Sequence, residues 1–154
     1  MHFDAEGYPC PPLLAVSDFA AFAQDHVAAH PKSMTRSVIF SGYERYVRDF
    51  RAVLGVGFKQ WVNGSFTTAK INPKDIDIIN FVAHNHATDA LLPFQTNGGS
   101  RDTFHVDAYI IPVYPKESPR YINVTLLLAC DWASRFGFDE ISGQEKVVIE
   151  LLFS

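Results

Sequence analysis

Asp75 and Asp77 carry the spacing that most directly suggests chemistry, because a single residue separates them at the entrance to the apolar run Ile76–Ala83. On an extended chain alternate side chains share a face, so both carboxylates project the same way, about 7 Å apart. Like charges that close raise one pKa or recruit a cation, and a hard divalent ion with oxygen ligands is the usual partner. Ten residues before Asp75, Ser65 follows Gly64 at the end of a second apolar run over 58–62. A glycine there lets backbone approach a ligand closely, and a serine hydroxyl with neighbouring N–H groups suits phosphate oxygens.

These residues need strands beneath them and helices to cover the strands. The runs over 58–62 and Ile76–Ala83 predict two strands, the second apolar enough to be covered on both faces. A third strand is expected over 104–111, with Phe104, Val106, Ala108 and Ile110 on one side and His105, Asp107, Tyr109 and Ile111 on the other. A lone acid in so apolar a stretch is costly to bury unpaired, so Asp107 calls for a metal, a basic partner or solvent.

Ile39, Tyr43, Tyr46, Val47, Phe50 and Leu54 recur at helical spacing and predict a helix over 35–54 closed by Gly55. Arg36, Arg45, Arg48 and Arg51 lie off that stripe and read as a solvated face, with Glu44 and Arg48 paired one turn apart. The sharper alternative is that Arg36 or Arg45 reaches an anionic ligand. A shorter helix capped by Ser17 precedes it, another is expected over 87–94, and a third over 121–136 with Ser118-Pro119 at its start and Gly137 at its end, although 122–128 is rich enough in branched apolar residues to be a strand instead. Residues 1–16 read as an irregular arm, 95–102 as an exposed loop, and 146–153 as a last strand at or near a sheet edge.

Gly64-Ser65 followed by Asp75-x-Asp77 resembles the signature of the nucleotidyltransferase superfamily, which includes the DNA polymerase beta type, kanamycin nucleotidyltransferase and the minimal nucleotidyltransferases. The wording Gly-Ser-Phe-x-Thr-x-Lys-x-x-Pro-x-Asp-Ile-Asp is also similar to a subgroup of small bacterial and phage-borne nucleotidyltransferase-like proteins. That likeness extends through Pro11-Pro12, the Asp107 strand with Pro112 to Pro115, the aromatic stretch from Trp132 to Phe136, and the final strand. Where the subgroup tends to carry Pro-Pro-Gly-x-His, Pro12 here runs into Leu13-Leu14, so that histidine has no counterpart.

The resemblance implies an α/β fold with a mixed twisted sheet of about four strands, in a single domain over 1–154. It implies that a nucleoside triphosphate donates its nucleotidyl group to a hydroxyl acceptor on protein or RNA. Asp75, Asp77 and Asp107 would hold two Mg2+ ions, Gly64 and Ser65 would cradle phosphates, and Lys70 would neutralise one. The company kept by similar proteins suggests a toxin-antitoxin or phage-defence role with a protein partner.

Composition bounds these readings. Thirteen Lys and Arg against seventeen Asp and Glu give a formal charge of −4, which argues against broad nucleic-acid binding through counterion release. Two cysteines, Cys10 and Cys130, make no disulfide framework and read as reduced thiols. No basic-apolar segment opens the chain and no apolar run approaches the ~20 residues of a membrane span, so the expected location is cytoplasmic, with no membrane partner. Two other functions stand beside the transferase. One is a nucleotide- or partner-binding module without turnover. The other is a metal-dependent hydrolase built on His84, His86, His105 and Asp107, although the His-x-His pair lacks the spacing of a known zinc site.

Overall fold

The computed structural model describes residues 2–154. Its seven strands are β1 (His2–Phe3), β2 (Pro9–Cys10), β3 (Leu13–Ser17), β4 (Phe58–Asn63), β5 (Ile76–Ala83), β6 (Val106–Val113) and β7 (Val147–Phe153). Four α-helices join them: α1 (Phe19–Ala23), α2 (Arg36–Leu54), α3 (Ser100–Phe104) and α4 (Leu127–Gly137). β1 and β2 form a small hairpin, and the other five strands make one sheet in the order β3-β7-β4-β5-β6. β4 runs antiparallel to both neighbours, whereas β5–β6 and β3–β7 are parallel pairs. The protein is therefore α/β with a mixed sheet, as expected, although the sheet has five strands rather than four.

Strand alternation divides the sheet's side chains between two cores. On one face Phe58, Val62, Ile76, Ile78, Val82, Val106 and Ala108 pack under Ile39, Tyr43, Tyr46, Val47, Phe50 and Leu54 of α2. Each fully buried large side chain of this kind contributes roughly 1.5–3 kcal/mol. On the other face Trp61, Ile79, Ile111 and Val148 meet Ala129, Ala133 and Phe136 of α4. Residues 77 and 107, which take the odd places in the alternation, thus belong to the α4 face.

The α2 stripe and its Gly55 cap, at φ 74°, lie where the spacing put them. Several expectations need correction. Leu13–Ser17 is not an irregular arm but an edge strand on β7, so β7 lies one place in from the edge. Asp18, not Ser17, caps α1, its carboxylate accepting from the Ala21 N–H at 2.7 Å. Arg48 pairs with Asp49 at 2.8 Å rather than with Glu44. The segment expected as a helix over 87–94 is a tight 3-10 turn over Asp89–Phe94. No helix of the described residues is long and apolar enough to cross a membrane.

Candidate active site

Parallel pairing of β5 with β6 sets the site. Its register places Asp77 directly opposite Asp107, on the α4 face and at the beginning of both strands. Antiparallel pairing of β4 with β5 places Asn63 opposite Asp77, so the Gly64 turn arrives beside the same carboxylate. Gly64 has φ 88°, a conformation other residues rarely adopt, and a Cβ there would run into Asp77 Oδ2. A short turn over Ser65–Thr67 follows, closed by the Thr67 and Thr68 N–H groups onto the carbonyls of Gly64 and Ser65.

Three carboxylates and a guanidinium share this corner, and their titration follows from their neighbours. Burial, then the charges of Asp75 and Asp107, push Asp77 up to about 7. Burial opposes ionisation of Asp107 too, but hydrogen bonds from Thr96, Arg101 and Asp77 outweigh it and hold that group below the ordinary carboxylate value. The interaction between the two thus favours the proton on Asp77 and the charge on Asp107. Asp75 is raised by burial against the opposing pull of Arg101, Lys70 and Lys74.

Arg101 spans the group, its Nη2 2.5 Å from Asp107 Oδ2 and its Nε 3.6 Å from Asp75 Oδ2. Thr96 Oγ1 donates to the other oxygen of Asp107 and accepts from the Ala108 N–H at 2.9 Å. Residues 95–102, expected as an exposed loop, are thus the arm that brings two side chains onto Asp107. Gly98 is pressed against the Leu92 carbonyl and Gly99 is left-handed at φ 98°, which turns the arm inward.

Asp77 supplies the clearest pH test. Its folded value of about 7 lies above the ordinary 3.8, so between these values the folded state keeps a proton that the unfolded chain has released. The group costs no stability below about pH 4, and its cost grows as pH rises through 7. Asp77→Asn should therefore raise the melting temperature at pH 8 by about 4 °C or more, at ~2–4 °C per kcal/mol for a chain of this size, and change it little at pH 4. Thermal melts at both pH values check this; equal loss of stability at both would contradict it.

Arg36 was expected on a solvated face or at an anionic ligand, and the structure shows neither. Its guanidinium is buried, donating to the carbonyls of His26 (2.8 Å), Phe66 (2.6 Å), Thr68 (2.8 Å) and Lys70 (2.6 Å). It fastens the chain between the Gly64 turn and the aspartates. Lys70 is exposed at the end of that stretch, close enough to Asp75 to lower its pKa. Arg45 reaches the Thr103 carbonyl at 3.2 Å and lies over the Phe104 ring while staying exposed, in keeping with the expected solvated face.

The histidines do not assemble. His84 and His86 lie in a 3-10 turn, not an extended segment, and His84 stacks on Tyr114 at 4.5 Å. His105 is left-handed at φ 58° between α3 and β6, with its ring against Gly42 of α2, so it does not share the face of Asp107. Among the described residues no three His, Cys, Asp or Glu side chains form a cluster that could already hold a metal ion.

The site opens into a cleft of about 290 Å3 whose floor holds Asp77 and Asp107 and whose wall includes Tyr109, Trp132, Arg135 and Lys146. None of these four stood out in the sequence as a site residue. Tyr109 was legible as a same-face neighbour of Asp107, but nothing in the spacing of α4 told its cleft residues from core.

A family model described as DUF6932, a family of unknown function, matches residues 1–152. The chain belongs to that family. Neither curated proteins nor solved structures yield a match to this DUF6932 member.

The oxygen donors are of the type a hard cation takes: two facing carboxylates lie beside the Gly64 turn, whose side-chain space Asp77 fills, and the Arg101 guanidinium is the counter-charge that a cation would have to displace. Asp77 and Asp107 would hold the ion, with Asp75 joining if Arg101 yields.

Proposed function

We propose that this protein is a nucleotidyltransferase that moves a nucleoside monophosphate group from a nucleoside triphosphate to a hydroxyl acceptor. The observation that carries the reading is the register that pairs Asp77 with Asp107 beside the Gly64 turn. Mg2+, when bound, offsets triphosphate charge and lowers the pKa of an attacking hydroxyl. Asp75, Asp77 and Asp107 would hold it, and the turn at Gly64 and Ser65 would meet phosphate oxygens. Lys70 supplies positive charge from the loop edge.

In the reaction the acceptor oxygen bonds to the α-phosphorus, the bond to the β-phosphate oxygen breaks, and pyrophosphate leaves. The hydroxyl proton would pass to one of the two facing carboxylates, Asp77 or Asp107. The acceptor is a protein or RNA hydroxyl in the cytoplasm, and the context is a toxin-antitoxin or phage-defence pair. Incubation with each labelled triphosphate and Mg2+, followed by mass analysis of protein and RNA, tests the reading. An added nucleotide is expected; binding without any adduct contradicts it.

The bridge from Arg101 to Asp75 and Asp107 favours a second reading, a nucleotide- or partner-binding module that has replaced the cation by a guanidinium. If Arg101 is a displaceable stand-in, Arg101→Gln should tighten Mn2+ binding by about tenfold, the worth of one competing ion pair of ~1.4 kcal/mol. Titration followed by the electron spin resonance of free Mn2+ reads this directly. No Mn2+ binding by either form would favour the module.

A further inference from the structure

We infer that Tyr109 and Trp132 form the platform on which a purine base of the donor nucleotide stacks, with Arg135 and Lys146 meeting its phosphates. This deepens the transferase reading and rests on it. Tyr109 lies two residues beyond Asp107 on the same strand face and is more than a third exposed, at 36%. Its ring centroid is 4.6 Å from that of Trp132, at an interplanar angle of 36°. Phe136, buried in the core, meets Trp132 edge-on at 5.5 Å and fixes the indole from beneath. The two rings pack on one another beside the paired carboxylates, with Arg135 over the indole, and the exposed part of Tyr109 leaves apolar ring surface against which a base can pack.

Charge completes the subsite. Arg135 follows Trp132 by one helical turn, lies 5.0 Å over its ring, and pairs with exposed Asp131 at 3.2 Å, a contact a phosphate can displace. Lys146 reaches the same cleft from the segment before β7. Asp77 and Asp107 sit at one side, so a nucleotide whose base lies on the rings can extend its phosphates toward the carboxylates.

Base preference follows from what the cleft has left to offer. Asn63 Nδ2 already donates to the Val147 carbonyl at 3.1 Å, and Arg135 is drawn to anions rather than base edges. Stacking area therefore decides, and purines overlap the rings more than pyrimidines do.

The chain carries its own probe. It has two tryptophans, and Trp61 is buried at 1% with its indole N–H bonded to Glu150, so quenching by a ligand reports Trp132. With Mg2+ present, ATP and GTP should quench the fluorescence, UTP should bind several-fold more weakly, and inorganic tripolyphosphate should compete with ATP while quenching less than ATP does. Tyr109→Ala should weaken ATP binding about tenfold, the stacking worth of one base, and Tyr109→Phe should retain it. Equal quenching by tripolyphosphate, equal affinity for UTP, or unchanged ATP binding by Tyr109→Ala would overturn the platform. Quenching by ATP without any nucleotide transfer would keep the platform and refute the transferase reading. Transfer without quenching would refute the platform and leave the transferase reading intact.

Discussion

Asp77→Asn and Asp107→Asn should each lower nucleotide transfer by on the order of 10^3-fold or more while the fold stays intact. The size follows from what the carboxylates do. A bound divalent ion supplies several kcal/mol to a phosphoryl-type transition state, and each ~1.4 kcal/mol is tenfold in rate. Asn keeps the shape of the side chain but not its negative charge. Because Asp77 faces Asp107 across one ladder position, losing either charge leaves half a site. For Asp77 the same change removes its proton-accepting ability and relieves the repulsion that raises its pKa. Activity and stability should therefore move in opposite directions above pH 7, which separates loss of a functional charge from loss of fold. Labelled-nucleotide incorporation and melting curves on the same preparations test this, and wild-type incorporation by either variant would sink it.

Arg36→Ala should be the most damaging single change to the fold near the site, costing about 3–5 kcal/mol, because it leaves partners of a buried charge without their donor. Four backbone carbonyls from residues 26 to 70 converge on this one guanidinium, and Phe66 lies 5.0 Å beneath it. At ~2–4 °C per kcal/mol the melting temperature should fall by roughly 10 °C or more. Arg36→Lys should recover little, since an ammonium has three donors and no planar fork to span four acceptors. Amide exchange across 64–72 should rise in both variants. A fall of under 2 °C in Arg36→Ala, on the same ~2–4 °C scale, would show that the loop is held by other contacts.

Legibility in the sequence tracked how local the determining physics was. β4 and β5 announced themselves as apolar runs bounded by Gly64 and Pro73, and α2 by a stripe ending at Gly55, because each pattern lies within one element. The facing of Asp77 and Asp107 was half legible. Alternation put each on a definite face, but which faces coincide depends on the β5–β6 register, which no local residue fixes. β3 was hidden behind Pro11 and Pro12, and its partner β7 lies over a hundred residues away. Arg36 looked like a surface charge because the helical stripe excluded it, whereas its acceptors come from two separate places in the chain, His26 and the stretch over 66–70. Thr96 and Arg101 were obscured for a related reason. A glycine-rich stretch reads as solvent-exposed until the packing of Gly98 on Leu92 turns it inward.

Anomalous scattering from a crystal soaked with Mn2+ and a non-hydrolysable nucleoside triphosphate bears most directly on the proposed chemistry. The account predicts a peak in contact with the carboxylates of Asp77 and Asp107, with the triphosphate beside the Gly64 turn and Arg101 moved off Asp107. A crystal that binds the triphosphate while Arg101 still bridges Asp75 and Asp107, with no peak at the pair, would contradict it.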